Sequence, residues 1–231
     1  MVDKVATGIK GLDDMLRGGF PKGHVVAVIG SFGTGKTTFA LQFLWQGLQN
    51  GEKAIFISLE EDEDSVKKSA STFEWDLEKH IASKELFIVQ LTPEDMSTSV
   101  QRISSDLPEK IRQFGAARVA MDSVSLFSML QEDTIKQRTS LFELARTIRS
   151  SGATSVFTAE ASQTAKASRD GLVEYVADGV VYLRLHEDER TGDVKPVMQV
   201  LKMRRTDHIR EMRPYAITAS GIVVYPEARA N

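Results

Sequence analysis

Short apolar runs alternate with amphipathic stretches over the first two thirds of the chain. Five apolar runs have the length and composition of buried β-strands: VVAVI (25–29), AIFISL (54–59), LFIVQL (86–91), RVAMD (118–122) and SVFTA (155–159). Stretches between them predict helices, at 37–49, 65–73, 97–114 and 134–150. Strands and helices that alternate in this way predict an α/β fold, with a mostly parallel sheet covered by helices on both faces.

The predicted helix TIKQRTSLFELARTIRS, at 134–150, is amphipathic. One face is expected to carry its apolar side chains, and Gly152 is expected to close the helix. The residues assigned to that face are Ile135, Leu141, Leu144, Ala145 and Ile148.

The pattern changes after residue 178. GVVYLRLHE and PVMQVLKMR flank RTGD, as in a β-hairpin, and Gly221 separates two further β-rich pieces. We therefore expect a C-terminal antiparallel β extension on the late edge of the sheet. No repeat, low-complexity segment or Pro/Gly/Ser-rich linker divides the chain, which predicts one domain over residues 1–231.

Composition limits the classes of protein to consider. The chain has 231 residues, 42% of them hydrophobic and 26% charged, with a net charge of −3, which is typical of soluble globular proteins and gives no sign of nucleic-acid binding. Because there is no cysteine, disulfides, zinc–thiolate sites and cysteine nucleophiles are excluded. The N-terminus has no signal-peptide core, and VVAVI is far shorter than the roughly 20 residues of a membrane helix. We expect a cytoplasmic protein with no membrane partner.

Residues 30–38, GSFGTGKTT, fit the phosphate-loop pattern G-x-x-x-x-G-K-[ST] between a predicted strand and a predicted helix. Glycines let backbone N–H groups turn inward around phosphate oxygens, and the following helix offers its positive end. Lys36 is expected to neutralise the β- and γ-phosphates, and Thr37 to place its hydroxyl on Mg²⁺. The predicted nucleotide-binding residues of the loop are Gly30, Ser31, Phe32, Gly33, Thr34, Gly35, Lys36, Thr37 and Thr38.

A second anchor for the metal is predicted on the strand RVAMD. Asp122 ends this strand, and a carboxylate at that position beside a phosphate loop would reach Mg²⁺ through water. Many strands end in aspartate at a turn, so the phosphate loop is what gives Asp122 its meaning. ATP and Mg²⁺ are the expected cofactors.

Several motifs together resemble one family. TGIKGLDDMLRGGFPKGHVVAVIGSFGTGKTTFALQFL is similar to the opening of KaiC-type ATPases of the RecA superfamily. The resemblance continues, in the same order, through FISLEEDEDSV, STFEWDLEKH, RVAMDSVSLF, VADGVVYLRL and VLKMRRTDH, at the spacing of one KaiC domain.

This resemblance implies a RecA-like fold, ATP hydrolysis and homo-oligomers, usually hexameric rings, with nucleotide between neighbouring subunits. It implies that Glu60 and Glu61 activate the attacking water. Lys202 and Arg204 would reach the γ-phosphate of the neighbour's nucleotide, and His208 matches a histidine of the same segment. The expected output is a conformational change passed to a partner protein.

Three departures from the family pattern qualify this picture. The best-known member of the family has two such domains in tandem. Glu174 and Tyr175 stand where its C-terminal domain has a phosphorylated Ser-Thr pair, which argues against an autokinase cycle. Ser31-Phe32 differ from the usual loop residues, but those positions present backbone. Arg205 replaces a glycine that often follows the Lys-x-Arg pair, which puts the local geometry in question.

The acidic run EEDED divides into two parts. Asp62, Glu63 and Asp64 are explained as a helix start, where negative charge is favoured, and the last two stand four residues before Lys67 and Lys68. Glu60 and Glu61 instead follow a parallel strand, at the ligand-binding edge of such sheets. Because neighbouring residues point to opposite sides, we expect one to orient water and the other either to support it or to face a neighbouring subunit, and we favour Glu60 as the base.

Other functions remain open at this point. A DNA-recombination accessory protein would use the segment 160–178, whose Lys166, Arg169 and Tyr175 are offset by Asp170 and Glu174, so DNA binding is possible but not favoured. A regulatory scaffold would bind ATP for assembly and hardly turn it over. A kinase acting on other proteins is a more distant alternative.

Overall fold

A computed structural model describes residues 2–91, 107–129, 133–162, 167–168, 171–187 and 192–228. The helix predicted at 97–114 is present as α5 over 107–114, and its earlier part lies outside the described residues. Lys166, Arg169 and Asp170 of the segment considered for DNA lie outside them as well.

One nine-stranded sheet organises the chain, in the order β11-β10-β9-β8-β3-β7-β6-β4-β5, beside a small two-stranded sheet, β1-β2. Strands β3 to β8 of the large sheet pair in parallel, whereas β8 to β11 pair antiparallel. The predicted α/β fold, with its antiparallel extension on the late edge, is therefore confirmed. The strands are β1 (Lys4–Val5), β2 (Phe20–Pro21), β3 (Val25–Gly30), β4 (Lys53–Ser58), β5 (Leu86–Gln90), β6 (Ala116–Asp122), β7 (Thr154–Glu160), β8 (Gly179–Glu187), β9 (Val194–Met203), β10 (Arg213–Thr218) and β11 (Gly221–Val224).

Helices cover both faces of the sheet, so its central strands are buried on both sides. One apolar cluster packs α2 against one face and a second packs α7 against the other. Burial on both faces is why β3 is apolar without alternation and why β6 and β7 are buried at nearly every position, although they carry Arg118 and three hydroxyl side chains. The remaining helices are α1 (Leu12–Met15), α2 (Lys36–Gln49), α3 (Glu63–Ser71), α4 (Leu77–Ala82), α6 (Val124–Met129), α7 (Thr134–Ser151) and α8 (Val173–Val176).

The start of α3 accounts for half of the acidic run, as predicted. Asp62 is its N-cap, and its carboxylate accepts a hydrogen bond from the backbone N–H of Ser65 at 2.8 Å. Lys67 pairs with both Glu63 at 3.3 Å and Asp64 at 2.8 Å, so one lysine receives both charges where two had been expected. These three acids serve the helix.

The expected apolar face of α7 is wrong at one residue. Leu141, Leu144, Ala145 and Ile148 are buried, but Ile135 is 74% exposed. At about 100° per residue, Ile135 lies about 130° from the centre of the buried stripe, because six residues to Leu141 do not complete whole helical turns. The other four residues do share one face.

Candidate nucleotide site

The phosphate loop connects β3 to α2, and two of its glycines have backbone angles that other residues avoid. Gly33 has φ of +73°, and Gly35 has φ of +83° and is the N-cap of α2. A Cβ on Gly35 would come within 2.7 Å of Ile217 Cδ1, so the loop lies tightly against the C-terminal extension. The backbone conformation therefore favours glycine at 35, and a side chain there would also displace the end of the Ile217 side chain.

The carbonyl groups of the loop are held by neighbouring donors. The Thr34 hydroxyl donates to the Ser31 carbonyl at 2.7 Å, and Lys36 Nζ donates to the same oxygen at 3.1 Å. The Tyr215 hydroxyl, from β10, donates to the Thr34 carbonyl at 2.6 Å. Phe32 at the tip is 80% exposed, which agrees with the expectation that this position presents backbone.

Oxygen atoms suited to Mg²⁺ converge beside the loop. The Thr37 hydroxyl donates to Asp122 Oδ2 at 2.6 Å, joining the first turn of α2 to the end of β6. The other carboxylate oxygen, Oδ1, accepts a hydrogen bond from the Thr158 hydroxyl on β7. A hydroxyl and a carboxylate are hard ligands of the kind Mg²⁺ prefers, so the residues fit the predicted metal.

Glu60 and Glu61 have different surroundings. Strand β4 ends at Ser58, and the Ser58 hydroxyl binds both the N–H and the carbonyl of Glu61, so the two glutamates lie in a turn. Glu60 is exposed, and its Oε1 accepts from the buried Ser123 hydroxyl at 2.7 Å. Oε2 of Glu61 is buried and has no hydrogen-bond partner among the described residues. Burial, followed by repulsion from Asp122, Glu60 and Asp62, raises the pKa of Glu61.

Lys36 lies among several carboxylates. Burial lowers its pKa, while the negative charges of Asp122, Glu160 and Glu60 act in the opposite direction. The hydrogen bond from Ser123, the residue after Asp122, places the Glu60 carboxylate next to the end of β6. A triphosphate bound here would meet Lys36 as its main positive charge from this chain, since Lys202 and Arg204 lie elsewhere.

Besides Tyr215, three residues of the site were not identified from the sequence. Ser123 and Thr158 hold the carboxylates of Glu60 and Asp122 by their hydroxyls, and Glu160 places a further charge near Lys36. Ser123 directly follows Asp122 and could have been considered. Thr158 and Glu160 belong to a strand that is distant in sequence, so their contacts depend on the strand order β3-β7-β6.

The predicted trans cations, Lys202 and Arg204, lie at the end of the sheet where the parallel strands begin, opposite the end that carries the phosphate loop. Met203 at the end of β9 pairs with Gly179, which pairs with Val26 near the start of β3, whereas Gly30 at the far end opens the phosphate loop. Four residues at about 3.3 Å each separate these ends by roughly 13 Å. Lys202 and Arg204 therefore do not reach the phosphate loop of their own chain.

Lys202, on β9, and Arg204, just after its end, both contact the segment that leads into β8. Lys202 Nζ donates to the carbonyls of Glu174 at 3.1 Å and Ala177 at 2.7 Å, and Arg204 donates to Asp178 Oδ1 at 3.3 Å. Asp178 also accepts from the Val25 N–H. Burial alone would raise the pKa of Asp178, but the hydrogen bond from Val25 and the charge of Arg149 lower it overall. The Arg204 side chain remains 54% exposed.

The segment after β9 carries His208 and the unusual Arg205. His208 is half-buried, and its Nδ1 lies 3.3 Å from the carbonyl of Ile209. The Ile209 N–H donates to the Met15 carbonyl at 2.9 Å, which fixes the segment against α1. Arg205 has φ of +62°, a conformation that favours glycine, so the departure from the family pattern places a strained residue here.

We expect R205G to leave the free energy of unfolding unchanged or to raise it by up to about 1 kcal/mol, because relief of left-handed strain opposes the entropy lost by a glycine. The matched control is R210G, an exposed arginine of the same segment that is absent from the positive-φ residues. It should lose about 0.4–1 kcal/mol. Urea unfolding of both variants measures the two free energies. A loss of unfolding free energy in R205G equal to that in R210G would refute the strain at Arg205.

Comparison with known proteins fits this geometry. The family model described as the KaiC ATPase matches residues 5–229. The chain belongs to the KaiC ATPase family. This confirms the resemblance, and with it the RecA-like fold and the assignment of the protein to a nucleotide-binding ATPase family.

Relatives within the KaiC family include single-domain and longer proteins. A UPF0273 protein of Aeropyrum pernix is 37% identical, and the alignment covers 98% of this chain and 95% of that protein. The circadian clock oscillator protein KaiC of Synechococcus elongatus is 35% identical over 97% of this chain but only 44% of its own length. The crystal structure of a KaiC-like protein from Pyrococcus horikoshii OT3 superposes with a TM-score of 0.87 at 33% identity, covering 98% of this chain and 100% of that one.

Within the described residues, none of the helices combines the length and apolarity required to span a bilayer.

Proposed function

We propose that this protein binds Mg-ATP on its phosphate loop and hydrolyses it in a ring, hexameric by analogy with its family, in which each site is completed by the neighbouring subunit. The observation that carries the proposal is the separation of two half-sites. Asp122, Glu60 and the phosphate loop occupy the carboxyl edge of the parallel strands, while Lys202 and Arg204 occupy the opposite edge. A neighbour that joins these edges would complete one site.

Each half-site has a distinct chemical task. The phosphate loop and Lys36 bind the phosphates, and Thr37 and Asp122 would hold Mg²⁺. Bound Mg²⁺ supplies charge neutralisation at the phosphate oxygens. Glu60, held by Ser123 beside the end of β6 that carries Asp122, is the proposed group that orients the attacking water and accepts its proton.

The neighbour's cations would act late in the reaction. Arg204 is exposed and tied by one bond of 3.3 Å, so it can exchange Asp178 for a phosphate without a large loss of stability. Its guanidinium, with Lys202, would stabilise charge that develops on the transferred phosphoryl group. His208 follows on the same segment as a further nucleotide-side candidate. We propose a cytoplasmic protein whose conformational change acts on a partner protein.

Sizing the protein with and without Mg-ATP, while phosphate release is measured, tests the proposal directly. We expect the parent protein to form oligomers with Mg-ATP and to release phosphate. The K36A variant should form no such oligomers. A persistent monomer without turnover would reject the proposal. Oligomers with negligible phosphate release would instead favour the regulatory scaffold, and stimulation of turnover by single-stranded DNA would favour the DNA-acting alternative.

A further inference from the structure

Tyr215 connects the C-terminal β extension to the phosphate loop through one buried hydrogen bond. Its side chain is 3% exposed, and its hydroxyl lies 2.6 Å from the carbonyl oxygen of Thr34. Burial raises the pKa of Tyr215 far above its ordinary value, so the hydroxyl stays a donor at every physiological pH. The Thr34 carbonyl thus accepts a hydrogen bond from a hydroxyl that keeps its proton.

The bonded carbonyl belongs to the same peptide group as the N–H of Gly35. The cis peptide of the described backbone is Asp122–Ser123, so the bond between Thr34 and Gly35 is trans. In a planar trans peptide the C=O and N–H point in opposite directions. A donor that holds the Thr34 carbonyl therefore aims the Gly35 N–H to the other side, where the motif places the phosphates.

This peptide group needs a restraint more than its neighbours do. Gly35 has no Cβ and a φ of +83°, so rotation of the 34–35 peptide plane meets little steric resistance. The Ser31 carbonyl, earlier in the loop, is already held by Thr34 and Lys36. In the described structure, Tyr215 provides the corresponding restraint at the end of the loop.

The tyrosine itself is fixed by the rest of the extension. Tyr215 pairs with Val224 across β10 and β11, and Ile222 exchanges hydrogen bonds with the buried amide of Gln42 on α2, at 2.7 and 3.2 Å. Gln42 belongs to the helix that begins at the loop. The extension is therefore fixed to α2 between one and two turns beyond the phosphate loop. The hydroxyl is therefore presented by a rigid element.

We propose that Tyr215 is a positioning residue for nucleotide binding, whose hydroxyl holds the Gly35 N–H toward the phosphates. This inference rests on the proposed nucleotide site and adds to it a residue from the C-terminal extension. A residue that only packs the core would affect stability, whereas a positioning residue also affects nucleotide affinity at temperatures where the protein is fully folded.

The test compares Y215F with T154V, both at a temperature well below unfolding. Y215F keeps the aromatic ring and removes only the hydroxyl. T154V likewise removes a buried hydroxyl bonded to backbone, the Thr154 Oγ1 that accepts from the Gly23 N–H at 3.0 Å, but at the opposite edge of the sheet. We expect the Kd for Mg-ADP to rise about tenfold in Y215F and to stay unchanged in T154V, although both melt earlier.

Kinetics give a second readout. Since a fixed N–H contacts the phosphates in both the ground and transition states, Y215F should raise KM for ATP about tenfold with kcat nearly unchanged. Parent-like Kd and KM in Y215F would overturn the inference alone. A parent protein that binds no Mg-ADP would reject the proposed function and the inference together.

If Y215F does not fold, 3-fluorotyrosine incorporation keeps the question answerable in the parent sequence. The chain has four tyrosines, so Phe substitution of the other three assigns the fluorine signal of Tyr215. We expect that fluorine signal to shift when Mg-ADP binds, because the Tyr215 hydroxyl is hydrogen-bonded to the peptide group whose N–H is proposed to bind phosphate. An unchanged signal at saturating Mg-ADP would overturn the inference.

Discussion

Replacing Arg204 with alanine should lower ATP turnover by about a thousandfold, the lower end of the effect of an arginine that stabilises phosphoryl transfer. Binding of Mg-ATP by the phosphate loop should persist, because Arg204 lies at the opposite edge of its own sheet. Steady-state phosphate release and equilibrium ATP binding, measured on the same preparation, separate the two effects. Loss of stability should be small, since the bond to Asp178 is long and the side chain is 54% exposed.

Mixing R204A with E60Q distinguishes a neighbour's arginine from the chain's own. Each variant alone is expected to be inactive, but a site formed from an intact Glu60 and a neighbour's intact Arg204 would work. Random exchange of equal amounts gives such sites at about one interface in four, so turnover should recover to about a quarter of the parent value. R210A, an exposed arginine of the same segment, is the matched control and should retain parent activity. Oligomers that demonstrably exchange subunits yet recover no activity would contradict catalysis in trans.

Glu60→Gln should lower kcat by about 100-fold or more, the range for loss of a general base, without weakening Mg-ATP binding. The amide keeps the size of the side chain and can still meet the Ser123 hydroxyl, so the change isolates the charge and the proton acceptor. Glu61→Gln is the matched neighbour and should lower kcat by less than tenfold. Single-turnover phosphate release from preformed Mg-ATP complexes measures both. A larger loss in E61Q than in E60Q would transfer the role of base to Glu61.

The E61Q variant also carries an expectation for stability. The pKa of Glu61 is raised in the folded protein, so the penalty for its charge is absent at low pH and develops as pH rises through the folded-state pKa. E61Q should therefore melt at a higher temperature than the parent at pH 7, and the difference should vanish below about pH 4, where the parent carboxyl is protonated in both states. Equal melting temperatures at neutral pH would contradict the raised pKa.

Local patterns predicted the fold because the strands of the parallel core are mostly apolar and the longer helices are amphipathic. The order of strands brought Asp122 to Thr37 as the phosphate-loop motif required. Patterns failed where a residue is apolar but lies off the stripe, as Ile135 does at the first turn of α7. Periodicity alone does not say where a helix meets its neighbours.

The supporting residues of the site escaped prediction for a different reason. Thr158 and Tyr215 are common residue types on strands, and nothing in their own neighbourhood marks them. The Thr158 hydroxyl reaches Asp122 only because β7 lies beside β6, and the Tyr215 hydroxyl reaches the Thr34 carbonyl only because β10 lies next to the loop. Such contacts depend on tertiary pairing between segments as much as 181 residues apart.

The placement of the two half-sites on opposite edges of one sheet has a consequence for symmetry. A two-fold dimer would place both regions in one interface, with the phosphate loop of each chain facing the Arg204 of the other. A heterologous, head-to-tail contact joins one loop to one arginine at a time, and each association then leaves an unmatched loop at one end and an unmatched arginine at the other. Such a contact either closes on itself or grows into an open filament, and only a small rotation between subunits decides which.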